Sequence, residues 1–280
     1  MGYLEHIKKC NNYTAENKVP FTIDNKRVGQ IRVDFLDYFL ESGYFCKEQD
    51  SITLKEKFNN FDLRSQALDN FSKKAFRDGI TDSYMNEPYG VIDFDSYKAM
   101  CLADRSISTL LGLISFGQHL NGYIKNGDTL KMWIGRRSFN KGYEAGKLDH
   151  LVAGGLPYGI SLQENLQKEC YEEAGISKEL ANKAIATGIV SYKHEYELGG
   201  KLDIIYCYDL EVPKSFVPKC TDGEVEEFYL MDIDEVANIV KNSDEFKLNC
   251  NLVIIDFLVR HGFLNGEDRE YLQIVQGLRR

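Results

Sequence analysis

The stretch 154–176, GGLPYGISLQENLQKECYEEAGI, constrains this chain more than any other, because it specifies a helix with both ends marked. Ser161 and Glu164 have the S-x-x-E spacing of a capping box, so a helix is predicted to start there. Gly175 supplies the stop, since glycine adopts the left-handed conformation that ends a helix at no steric cost. Leu162, Leu166 and Cys170 recur every fourth residue and mark the buried stripe. Cys170 is therefore expected to be an inert core thiol. Glu169, Glu172 and Glu173 stand at i, i+3 and i+4, so their carboxylates leave one face within reach of one another. Like charges so placed repel unless a cation sits among them, and clustered hard oxygens suit magnesium or manganese better than zinc. A solvated acidic face would also explain three glutamates. It would not explain the glycine pair, the capped start and the Gly-Ile ending around them.

The remainder of the chain reads as strands mixed with helices. Asn126-Gly127-Asp128 is a hairpin turn joining strands at 122–124 and 130–134. Further strands are predicted at 184–192, 202–210 and 227–231, and closing helices at 233–241 and 248–261. Upstream, 33–45 and 63–76 carry apolar residues at helical spacing, with strand and turn signals such as Asn86-Glu87-Pro88-Tyr89-Gly90 between and after them. Aromatic residues are dense from Phe35 to Tyr97. Core packing is their expected use, and a stacking wall for a planar ligand is the alternative. The pattern predicts an α/β sandwich at 116–280, preceded by a smaller α+β domain at 1–115.

Composition excludes several functions. A net charge of −9 argues against broad binding to nucleic acid or an anionic membrane, so phosphate must be met locally or through a metal. Hydrophobic residues, at 43%, suffice for a core without metal or disulfide staples. The seven cysteines are odd in number and form no C-x-x-C, which predicts neither a disulfide framework nor a zinc site. Reduced cysteines in a cytoplasmic protein are the simplest expectation. Residues 1–12 lack the apolar region of a signal peptide, and the apolar run 252–259 is too short to span a bilayer. A homodimer is left open.

The 154–176 segment resembles the Nudix box, G-x5-E-x7-R-E-U-x-E-E-x-G-U, where U is a bulky apolar residue. Gly154, Glu169, Glu172, Glu173, Gly175 and Ile176 match it, and Cys170 stands at an apolar position. Two positions depart from it: Lys168 replaces the arginine and Ile160 the first glutamate. Flanking segments extend the likeness, including Gln118 to Tyr123, Trp133 to Ser138 with Lys141, Leu148-Asp149 leading to Val152-Ala153-Gly154-Gly155, Asp222 to Phe228, and Asp256 to Gly262. Together with Asn86-Glu87-Pro88-Tyr89 they are similar to a branch that joins a Nudix domain to an N-terminal accessory domain. That branch includes the Nudix part of fungal thiamine pyrophosphokinase fusions. The resemblance implies an α/β/α Nudix sandwich and metal-dependent hydrolysis of thiamine diphosphate, or its damaged oxy and oxo forms, to the monophosphate. ADP-ribose or nucleotide-sugar hydrolysis, an isopentenyl-diphosphate isomerase-like reaction and a catalytically silent ligand-binding module are the alternatives.

The resemblance implies that Glu169, Glu172 and Glu173 hold Mg2+, or Mn2+. Glu172 or Glu173 would also orient or deprotonate the attacking water. Glu224 is the favoured additional base among Glu224, Glu226 and Glu227, with a charged strand edge as the plain alternative. Arg137 and Lys141 are candidate phosphate contacts, or else ordinary surface cations. His119 is expected to be a hydrogen-bonded structural histidine, since no other histidine stands at ligand spacing from it.

Overall fold

The computed structural model describes residues 2–140 and 142–280; Lys141 lies outside the described residues. In chain order the elements are α1 (Tyr3–Cys10), β1 (Lys18–Ile23), β2 (Lys26–Arg32), α2 (Leu36–Glu41), β3 (Phe45–Glu48), β4 (Ser51–Leu54) and α3 (Phe61–Arg77). There follow β5 (Pro88–Ile92), β6 (Ala99–Asp104), β7 (Ile114–Asn126), β8 (Thr129–Arg137), β9 (Leu148–Asp149), β10 (Val152–Gly155), α4 (Leu162–Ala174) and α5 (Lys178–Ala181). The chain closes with β11 (Ile185–Tyr196), β12 (Gly199–Glu211), β13 (Val225–Asp232), α6 (Ile233–Asn242), α7 (Leu248–Arg260) and α8 (Tyr271–Gly277).

The larger sheet has the order β11-β12-β7-β8-β13, with β10 paired to β7 and β9 to β8. Its side chains alternate between two cores, as a period of two requires. Trp133, Tyr208 and Leu210 pack under α4 with Leu166, Cys170 and Ala174. Met132, Ile134, Ile205 and Cys207 face α6, α7 and α1. The fold is an α/β/α sandwich, as expected. α7 is buried along Cys250 to Leu258 because it is covered on both sides, by the sheet and by other helices.

The N-terminal part builds its own core from a four-stranded sheet, β2-β1-β4-β3, backed by α2 and α3. Phe39, Phe45 and Phe71 meet there with ring centroids 4.8–5.0 Å apart, so these aromatics serve core packing. The helix expected at 33–45 is shorter than its spacing suggested. A 3-10 turn precedes α2, and Gly43, at φ 89°, ends it and sends Phe45 into β3. α1 belongs elsewhere: Leu4, Ile7 and Cys10 join the core of the C-terminal sandwich.

Two contacts fix the N-terminal part against the sandwich near its box. Tyr158 N–H donates to Pro88 O at 2.8 Å, tying the loop before α4 to β5, and the Phe61 ring lies 6.2 Å from that of Tyr158. Within the N-terminal part, Gly112, at φ 62° with the Gln30 carbonyl 2.3 Å from where a Cβ would sit, lets the chain after residue 110 run against β2. No helix among the described residues is long and apolar enough to cross a membrane.

Candidate active site

α4 has the ends its sequence specifies. Ser161 and Glu164 form a complete capping box, and Gly175 closes the helix at φ 64°. The box therefore supplies the support at the helix start that Ile160 cannot. Asn165, fully buried, donates to Gly155 O and to Gln118 Oε1, both at 2.8 Å, and Gln118 donates to Leu162 O at 2.8 Å. These bonds lock the first turns of α4 onto β10 and β7. At the other end, Thr221 N–H and Oγ1 donate to Glu172 O at 2.8 and 3.0 Å, satisfying a carbonyl that a helix end leaves open. The helix is held at both ends, so its glutamates are aimed.

Glu169 lies against Gly154: a Cβ there would sit 2.3 Å from the Glu169 carboxyl carbon. A side chain at 154 would displace the Glu169 carboxylate from this position. Glu173 is buried, and one of its oxygens accepts from Ala153 N–H at 2.8 Å. Glu172 is half-exposed. Lys168 Nζ sits 3.0 Å from both Glu169 and Glu172, so the lysine in the arginine position pairs two of the three acids with a single ammonium. That is too little positive charge for the group. Burial pushes the Glu173 carboxyl up to about 8, with Asp149, Glu169 and Glu224 adding to the rise against the Ala153 bond. Burial also raises Glu169, with Glu172 and Glu224 opposing the help of Lys168. Carboxyls driven toward the neutral form by one another are a donor set suited to a divalent cation, and the residues fit the Mg2+ or Mn2+ the sequence implies.

Glu173 and Glu224 line one narrow cleft of about 10 Å³ with Gly135, Arg137, Asp149 and His150, with room for roughly one water. A larger hollow of about 440 Å³ beside Cys46, Lys55 and Arg64 belongs to the N-terminal sheet, and none of the glutamates above line it. The structure thus brings Glu169, Glu172, Glu173 and Glu224 to one end of α4. Arg137 lines the same cleft as Glu173 and Glu224. Its guanidinium is held by Asp149 at 2.9 Å and by the carbonyls of Glu144 and Tyr143, because β9 presents Asp149 directly beside it. Cys170 is buried and its thiol is pushed up to about 12 by burial, as an inert core residue should be.

Sequence reasoning missed Tyr89 and Arg105, which come from the N-terminal part. A Cβ at Gly155 would sit 2.1 Å from the Tyr89 hydroxyl and 3.2 Å from an Arg105 guanidinium nitrogen. Arg105 also pairs with Glu87 at 3.0 Å and lies over the Tyr89 ring. The only sequence signal was the Asn86-Glu87-Pro88-Tyr89 likeness, which carries no distance. The late segment Asp256 to His261 is structural: Arg260 grips Asp209 at 2.6 and 3.0 Å and Asp256 at 2.7 Å, and Asp209 also accepts from Asn121.

A capped helix presenting three clustered carboxylates to a Gly-Gly loop, inside an α/β/α sandwich, defines a Nudix-type hydrolase. Comparison with known proteins agrees. The NUDIX domain family matches residues 121–250, and a domain of unknown function, DUF4743, matches residues 2–115. Two Arabidopsis thaliana proteins are similar over nearly the whole chain. Nudix hydrolase 20, chloroplastic, is 40% identical, covering 99% of this chain and 78% of that one. Nudix hydrolase 24, chloroplastic, is 41% identical with the same coverage. A Saccharomyces cerevisiae protein described as uncharacterized, YJR142W, is 34% identical, covering 81% of this chain and 71% of that one. The chain belongs to the Nudix hydrolase family, with a DUF4743 domain at its N-terminal end, and is a pyrophosphohydrolase.

Proposed function

We propose that the chain hydrolyses the diphosphate linkage of a small molecule seated between the glutamate end of α4 and the Tyr89–Arg105 edge of the N-terminal part. The preferred substrate is thiamine diphosphate or its oxy and oxo damage products, released as the monophosphate. The observation that carries the reaction is the clustering of Glu169 against Gly154, Glu173 on Ala153 and Glu172 across the Lys168 ammonium from Glu169. A bound Mg2+ or Mn2+ would neutralise diphosphate charge and make a water more acidic. The three glutamates would hold that cation, and Glu173 with Glu224 across the cleft would orient the attacking water and take its proton. The water oxygen bonds to phosphorus, the bridging P–O bond breaks, and the departing phosphate keeps the electron pair.

Arg105 is a cation placed to grip a phosphate, because it stands beside Gly155 with its side chain 41% exposed. The thiamine reading rests on the similarity of the flanking segments to the Nudix part of fungal thiamine pyrophosphokinase fusions. The half-buried rings of Phe116 and Tyr206, stacked at 6.3 Å, fit it by offering planar faces near the loop.

The purified chain should be given thiamine diphosphate, its oxy and oxo forms, ADP-ribose and nucleotide sugars, each with and without magnesium. Product from the thiamine group alone, only with magnesium, is the expected result. Turnover confined to ADP-ribose or nucleotide sugars would replace the substrate assignment, and no turnover of any compound would favour a silent module. Arg105→Ala should lower kcat/KM about ten- to a hundredfold, chiefly through KM, as loss of a charge-assisted phosphate contact does. An unchanged KM would remove Arg105 from the substrate site.

A further inference from the structure

Adjoining the glutamate cleft, which His150 also lines, is a second cluster with a different chemistry. His119 on β7, His150 between β9 and β10, and Cys250 near the start of α7 are all buried, and their ligand atoms lie within 4.8 Å of one another. The two imidazole rings stand 4.9 Å apart. Among the described residues, neither ring nitrogen of His150 has a hydrogen-bond partner, and neither has Nδ1 of His119. The backbone of Cys250 approaches the His150 ring, but outside hydrogen-bond geometry. Buried polar atoms are rarely left orphaned, and each costs about 1–3 kcal/mol when it is. Three orphaned imidazole nitrogens beside a buried thiol therefore point to something that accepts their lone pairs. This differs from the sequence expectations of a hydrogen-bonded His119 and of no zinc site. The fold has brought together residues too distant in the chain to show a ligand spacing.

We propose that His119, His150 and Cys250 form a buried structural site for a thiolate-preferring transition metal ion of the zinc class. Two imidazoles and a thiolate select zinc or cobalt over magnesium, which prefers oxygen. Burial, with help from the nearby Lys247, holds both imidazoles neutral, the form that ligates. Cys250 is a thiol without the metal, donating to Asp149 Oδ1 at 2.7 Å. On binding, its S–H bond breaks, the sulfur takes the metal and the proton leaves to solvent. Asp149 Oδ1 then keeps the His150 backbone N–H, and its other oxygen stays with Arg137 and Lys247. Those two cations oppose the incoming charge, and the Cys250 thiolate together with Asp149 offsets them.

All three side chains are buried, which suits a structural rather than a catalytic ion. It would bolt α7 to β7 and to the β9–β10 turn. His119 is the register partner of Ala153, whose N–H holds Glu173, so the bolt lies one strand step from the glutamate cleft.

The test uses the full-length wild-type chain. After purification in zinc and washing with chelator, it should retain about one zinc per chain. Its cobalt-exchanged form should show a thiolate-to-cobalt charge-transfer band and the intense visible bands of a tetrahedral ion. Cys250→Ser should abolish the charge-transfer band, and Glu172→Gln should leave it intact, which separates this site from the one on α4. Absence of both retained zinc and the cobalt bands in the wild-type chain would overturn the proposal, whatever the variants do. A charge-transfer band that survives Cys250→Ser would overturn it equally.

Discussion

Glu173→Gln is expected to lower kcat by about a hundred- to ten-thousandfold, the range for loss of a group that handles the reacting proton. The fold should survive, because an amide oxygen can still accept from Ala153 N–H in place of the carboxylate. Stability in chelator should move the other way. The folded-state value for Glu173 is about 8, above the ordinary glutamate range near ~4.3. A raised value means that the folded chain holds the proton more tightly than the unfolded chain. Its contribution is therefore complete below the ordinary range and is lost as pH rises through about 8. The wild-type chain in chelator should lose stability across that window, and the glutamine variant should lose less and melt higher at about pH 8 to 9. A calorimetric series over pH together with a turnover assay checks both halves. A variant that is active, or one that melts lower at high pH, contradicts the account.

The second large effect concerns Asp149, which carries no reaction step. It accepts from Arg137, from the Cys250 thiol and from the His150 backbone N–H, and lies 3.5 Å from the buried Lys247 ammonium. Burial alone would raise its carboxyl, but Lys247, His119 and Arg137 together hold it well below the usual carboxylate range. Asp149→Asn keeps the shape and removes the charge, leaving two half-buried or buried cations unanswered. Breaking a buried pair in this way costs about 3–5 kcal/mol. Denaturant unfolding should show a loss of that size with an unchanged slope. The depressed value also fixes the acid behaviour. Stability from Asp149 is complete above the ordinary carboxylate range near ~3.9 and is lost as pH falls below it. The asparagine variant should lack that part of the acid transition. A stability loss under about 1 kcal/mol would show that Arg137 and Lys247 find other partners.

Much of this was legible in the sequence because it is local. The capping box, the Gly175 stop and the i, i+3, i+4 glutamates all lie within one helix, so spacing alone aims them. The 126–128 turn and the hydrophobic run of α7 are local in the same sense. What the sequence hid depends on long-range assembly. β7 and β12 pair in parallel, so no turn signal announces their neighbourhood. α1 looks like an ordinary polar leader and is nevertheless built into the far sandwich through Leu4, Ile7 and Cys10. Arg137 carries the signature of a phosphate ligand, and only the fold reveals Asp149 in front of it. Arg105, Tyr89 and the His119–His150–Cys250 cluster come from separate elements, and no periodicity connects them.

The proposed reaction depends on side-chain oxygens from the last turns of one helix gathering around a divalent cation. Manganese titrated into the chain, with free ion followed by its electron paramagnetic resonance signal, reads that gathering without needing a substrate. The wild-type chain should sequester manganese at saturable sites, and a chain carrying Glu169→Gln, Glu172→Gln and Glu173→Gln together should leave that manganese free while keeping its circular dichroism. Equal sequestration by the folded triple variant would contradict the assignment of these glutamates as the ion's ligands.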